Sequence, residues 1–100
     1  MTGFGDKIFG TQEKWVSVKD KKYQVKVSLY EENGMYNYYE KWTLGYGSAD
    51  GSKSQSFTSL TQEEAKKKIE DVKERGFYYT KSYMNLRAPQ WIKDIWFPPK

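Results

Sequence analysis

The chain has 100 residues, 17 Lys and Arg against 13 Asp and Glu, and a net charge of +4. That length allows a single domain, since chains usually divide only above roughly 250 residues. It contains no His and no Cys, which excludes Ser/His triads, Cys nucleophiles, zinc fingers, His-ligated metals, haem and disulfide frameworks, so neither an enzyme nor a metal- or cofactor-binding protein is expected.

Leu, Ile, Val and Phe total only 18, but nine Tyr, four Trp and five Phe supply large side chains that each bury roughly 150–250 Å². A folded domain with an aromatic core follows. No apolar run approaches the ~18 residues of a membrane span, and residues 1–10 lack the apolar centre of a signal peptide, so a cytoplasmic protein without a membrane partner is expected.

Residues 1–12 read as a loose N-terminal arm. Residues 14–18 alternate in polarity and precede a charged turn at Lys19, Asp20, Lys21 and Lys22, which predicts a first antiparallel strand. The strongest local signal is Asn33-Gly34, a pair suited to the positive φ angles of a type I′ turn, between two alternating runs. With these as the two loop residues, Glu32 faces Met35, and outward from it Leu29 faces Tyr38, Val27 faces Glu40, Val25 faces Trp42 and Tyr23 faces Leu44. One face of this hairpin is almost wholly apolar. The other carries Tyr30 beside Asn37, Ser28 beside Tyr39, Lys26 beside Lys41 and Gln24 beside Thr43.

Residues 47–54 form a polar, glycine-bearing stretch expected to be a loop, followed by a short strand over residues 55–58. The loop comes within one residue of a phosphate-binding P-loop, but Ser52 stands where the pattern needs Gly and no helix follows directly, so nucleotide hydrolysis is not expected. Thr61-Gln62-Glu63-Glu64 is a capping box, Leu60 and Ala65 suit a hydrophobic staple, and Gly76 supplies a stop, which predicts a helix over residues 62–75. Its apolar stripe, Ala65, Ile69 and Val72, should dock on the apolar hairpin face. Residues 77–83 alternate as a further strand. Pro89 opens a short amphipathic helix with Trp91, Ile92, Ile95 and Trp96, ended by Phe97-Pro98-Pro99. The expected architecture is α+β, an antiparallel sheet of four or five strands with one main helix on one face and a short C-terminal helix.

Glu40 is the one carboxylate on the apolar hairpin face, with Lys81 as the expected partner and a structural pairing as the expected role. Lys66, Lys67 and Lys68 share their helix with five acidic residues and read as a solvated face. Lys26 opposite Lys41 is different, because like charges directly across a ladder repel unless an anion lies between them. With Gln24, Ser28, Tyr30 and Tyr39 around them, the pair predicts nucleic-acid binding by phosphate neutralisation and aromatic contact. The alternative is a mobile-element protein that binds and inhibits a host protein through Arg87, Trp91, Trp96 and Phe97, since Trp and Arg concentrate binding energy at interfaces. The tail is expected to fold back and close the core, and only if left exposed would it serve as a docking helix; the rival reading of the sheet face is a merely solvated surface.

The succession Tyr23-Gln24-Val25-Lys26-Val27, Tyr39-Glu40-Lys41-Trp42 and Phe57-Thr58-Ser59-Leu60, leading into the helix at Glu64-Ala65, resembles the AP2-like arm-type domain of phage and transposon integrases. That resemblance implies a three-stranded sheet on one helix, with Lys26, Tyr39 and Lys41 turned toward DNA. Trp42, Gly45, Gly47, Phe57 and the same helix also resemble the WGR domain, with Thr43-Leu44 where that family has Gly-Arg.

Overall fold

The computed structural model describes residues 5–45, 48–77 and 88–98. Five strands, β1 (Asp6–Gly10), β2 (Lys14–Val18), β3 (Lys21–Glu32), β4 (Met35–Leu44) and β5 (Ser48–Leu60), are followed by helices α1 (Gln62–Glu74) and α2 (Gln90–Trp96). The strands form one antiparallel sheet in the order β1-β3-β4-β5, with β2 also paired to β3. The protein is thus α+β, as its sequence pattern predicts. The strand expected over residues 77–83 lies, beyond Phe77, outside the described residues, as do Lys81 and Arg87.

The β3–β4 hairpin has the predicted register throughout, from Glu32↔Met35 to Tyr23↔Leu44. Its turn residues Asn33 and Gly34 have φ of 53° and 83°, the positive pair a type I′ turn requires. A Cβ added to Gly34 would meet nothing within 4 Å. Gly34→Ala should therefore cost only the left-handed backbone strain, about 1–2 kcal/mol, read as a shift of the urea midpoint with unchanged slope.

Two expectations require correction. Residues 1–12 are not wholly a loose arm, because Asp6–Gly10 pairs with β3 and Phe9 is fully buried. β1 and β2 lie end to end along the same edge of β3. At their junction the Thr11 amide donates to the Val27 carbonyl, and the Thr11 hydroxyl accepts from the Val27 amide, both at 2.9 Å. This buried threonine satisfies the backbone where the edge strand breaks. Secondly, most of the expected 47–54 loop is strand, since β5 begins at Ser48. The pairing passes from Trp42↔Lys53 to Leu44↔Ser48, so surplus β5 residues are absorbed as a bulge rather than an open loop. A second bulge puts Ser59 at φ 57°, where its amide donates to the Asn37 side chain at 3.0 Å.

α1 begins as its sequence dictates. The Glu64 amide donates to the Thr61 hydroxyl at 3.2 Å, and the Thr61 amide donates to the Glu64 carboxylate at 2.9 Å. Ala65, Ile69 and Val72 are fully buried against the apolar sheet face, with Val25, Val27, Leu29 and Tyr38. Lys14 Nζ donates to the Arg75 carbonyl and Lys73 Nζ to the Ile95 carbonyl, both at 2.6 Å, so a lysine satisfies the carboxyl end of each helix. α2 packs on the same side, with Ile92 fully buried, Trp91 edge-on to Tyr36 at 5.5 Å and Trp96 stacked on Phe9 at 5.9 Å. The tail closes the core. Among the described residues no helix is long and apolar enough to cross a membrane.

Candidate nucleic-acid interface

Both helices occupy one side of the sheet, and strand parity places a different set of residues on the other. Lys26 and Lys41 stand directly opposite each other and are exposed. Tyr39 and Tyr30 are half-buried beside them. Gln24 is also half-buried, and its amide donates to the Gly45 carbonyl at 3.0 Å, which ties the residue after β4 to the first part of β3. Ser28 is only 6% exposed, so it contributes more to the sheet's interior than to its surface.

Pairing across the β3 edge adds three residues absent from the predicted site. Trp15 lies opposite Gln24, Ser17 opposite Lys22, and Lys7 opposite Tyr30, all on the open face. Lys7 was hidden by the reading of residues 1–12 as an arm. Trp15 carried a usable signal, because in Lys14–Val18 it shares its parity with Ser17 while Val16 and Val18 share the other. Trp15 is 45% exposed. Burial, and then the charge of Lys26, hold the Lys7 pKa below its ordinary 10.5, as expected where cations converge.

By parity the described part of this face carries Lys7, Lys22, Lys26 and Lys41 against a single carboxylate, Glu32, at the hairpin end. Asn37 donates to Glu32 at 3.5 Å. Two depressions open on the face. One of about 500 Å³ is lined by Trp15, Ser17, Lys22 and Gly45. A second, of about 180 Å³, is lined by Tyr39, Lys41, Ser52, Lys53 and Ser54.

The covered face holds the molecule's one described buried carboxylate. Glu40 accepts from Arg75 Nη2 at 2.6 Å, from Trp42 Nε1 at 3.0 Å and from the Tyr38 hydroxyl. Its described cationic partner is Arg75, the C-cap of α1, and the expected partner Lys81 lies outside the described residues. Burial would raise the Glu40 pKa, but hydrogen bonds from Arg75, Tyr38 and Trp42 outweigh it and hold the carboxyl below its ordinary 4.5. Burial, and then the adjoining carboxylate, push the Tyr38 phenol well above its ordinary 10.0. All members of this cluster are engaged with one another.

Of the residues expected to serve a protein interface, Trp91 and Trp96 are half-buried against the core, and Phe97 is 51% exposed. Fold and face together define an α+β module whose sheet has one helix-covered face and one cationic face on which no described helix packs. No protein-family model, curated protein or solved structure matches the chain.

Proposed function

We propose that this is a non-catalytic module that binds nucleic acid on the open face of its sheet, with little preference for sequence. The observation that carries the reading is the Lys26↔Lys41 pair, exposed and, among the described residues, with no carboxylate beside it on the face. Two ammonium groups facing each other across a ladder repel mildly. A phosphate between them turns that repulsion into attraction, and Lys7 and Lys22 extend the cationic surface along β1 and β3. Specific base readout usually relies on Arg. The chain has only two arginines, and Arg75 is committed to Glu40.

The test is fluorescence anisotropy of labelled DNA and RNA at several salt concentrations. With four lysines contacting phosphate, the plot of log K against log salt should have a slope of roughly −3 to −4. Lys26→Glu/Lys41→Glu should abolish binding. It keeps like charges opposite each other, so its melting temperature should stay close to that of the parent. Lys41→Glu alone should weaken binding yet raise stability by about 0.2–1 kcal/mol, because it creates an opposite-charge pair with Lys26. Failure of every oligonucleotide to bind at low salt overturns the reading and favours a host-protein partner.

A further inference from the structure

The lysine pair belongs to a longer row. Lys26 lies opposite Lys41, and Lys41 lies opposite Ser54. Residues directly opposite in a ladder share a face, so the three stand side by side on β3, β4 and β5. Neighbouring strands lie about 4.8 Å apart, which puts Ser54 as near to Lys41 as Lys26 is. The row runs through regular pairing, from Tyr38↔Phe57 to Trp42↔Lys53 in the β4–β5 ladder, and both bulges fall outside it. On the far side of Lys26 the edge is broken between β1, ending at Gly10, and β2, beginning at Lys14. The regular side of the pair is therefore the β5 side.

Ser54 is exposed, short, and able to donate through its hydroxyl. A lysine ammonium on its flexible four-carbon stem can extend or fold down, whereas a serine oxygen stays close to the backbone. An anion lying low over β4 and β5 thus meets the hydroxyl directly, and the two ammonium groups close on it from the side. The depression of about 180 Å³ that adjoins Lys41 and Ser54 offers that place. It is smaller than the roughly 300–1,000 Å³ of sites that enclose a whole small molecule, and gives room for one chemical group. Lys53 also borders it, but its ammonium lies 5.0 Å from the Tyr23 ring centroid and 4.9 Å from that of Trp42, so Lys26 and Lys41 supply the charge at this point. Edge strands are commonly protected by charged side chains. Here a lysine would add a third like charge to the row, and a carboxylate would take the anion's place beside Lys41. A hydroxyl adds a donor and leaves the charge of Lys41 in force.

We infer that Ser54 is a phosphate-binding residue: its hydroxyl donates to a backbone phosphate oxygen of the nucleic acid at the point where Lys26 and Lys41 neutralise it, so the ligand's backbone passes over β4 and β5. This rests on the nucleic-acid reading above and adds to it an uncharged donor and the side of the lysine pair on which the ligand lies.

The deciding experiment follows the anisotropy of one labelled mixed-sequence DNA oligonucleotide across a salt series with the parent protein, Ser54→Thr, Ser54→Val and Lys41→Gln, with circular dichroism and a melting curve confirming that each is folded. Thr and Val are both β-branched and favour strands, and they differ chiefly in the hydroxyl, so comparing them isolates it. Ser54→Thr should bind as the parent does. Ser54→Val should bind about three- to tenfold more weakly at every salt concentration, the contribution of a hydrogen bond. Its plot of log K against log salt should run parallel to the parent's, because a hydroxyl releases no counter-ion. Lys41→Gln should flatten that slope by roughly one. Equal binding by Ser54→Val and Ser54→Thr overturns the inference. So does a Ser54→Val slope that flattens as in Lys41→Gln, since the residue would then act on the lysines and not on phosphate. In either case, loss of binding in Lys26→Glu/Lys41→Glu leaves the broader reading standing. If no oligonucleotide binds the parent, the broader reading has failed and this inference with it.

Discussion

Phe9→Ala should lower the unfolding free energy by about 3–5 kcal/mol, the range for emptying a fully buried aromatic site. Phe9 has no exposed surface and stacks on Trp96 with ring centroids 5.9 Å apart. It therefore joins the first strand to the last helix, and its removal leaves a cavity between two chain ends with few other means of closing it. For a domain whose total stability is about 5–15 kcal/mol, that loss should be plain in a urea titration as a fall in midpoint with little change in slope. A dangling arm would give the opposite result, a change within about 0.5 kcal/mol, typical of surface substitutions. The consequence reaches the open face too. β1 carries Lys7 there, opposite Tyr30, so detaching the strand should also remove a cation from the interface and flatten the salt dependence of binding by roughly one phosphate contact.

The difference between a legible and an illegible element lies in the range of the interactions that form it. Asn33-Gly34 and Thr61 with Glu64 act within four residues, and a register or a cap follows from them without knowledge of the rest of the chain. The Lys26↔Lys41 pair was readable for that reason, being a consequence of one turn. β1 was not. Residues 6–10 contain two adjacent apolar residues, Ile8 and Phe9, and no alternating run, and they become a strand only because the edge of β3 offers backbone partners and Trp96 offers Phe9 a surface. Lys7 and Trp15 joined the site through that same edge. The bulged start of β5 is similar: its Ser and Gly residues have turn composition, and pairing with β4 overrides that local preference. The partner of Glu40 depended on where α1 crosses the sheet, which its apolar stripe does not specify. Arg75, the helix's last cation, reaches a carboxylate 35 residues away.

Arg75→Ala is the second substitution from which a large effect is expected, about 2–4 kcal/mol. Removing one partner of a buried ion pair leaves the other charge uncompensated, which typically costs about 3–5 kcal/mol. The lower figure reflects the 35% exposure of the Arg75 side chain, against 8% for Glu40. The Tyr38 and Trp42 donors remain, but both are neutral. The pH dependence identifies the cause. In the parent protein the folded Glu40 pKa lies below its unfolded value near 4.5, so the ionised carboxylate stabilises the fold above that value and the contribution is lost as pH falls through the folded pKa. Without Arg75, burial acts against weaker opposition and the folded pKa rises. Protonating Glu40 then relieves the variant at the pH where it harms the parent. The stability gap between them should therefore be widest near neutrality and narrow steadily below about pH 5. Chemical unfolding at a series of pH values measures it, and a gap independent of pH would mean that Arg75 acts by packing over Phe77, 5.2 Å from its ring, rather than through its charge. Glu40→Leu/Arg75→Leu separates the two further: if the charge pair dominates, it should recover most of the loss, because apolar replacement of both partners removes the stranded carboxylate together with its counter-ion.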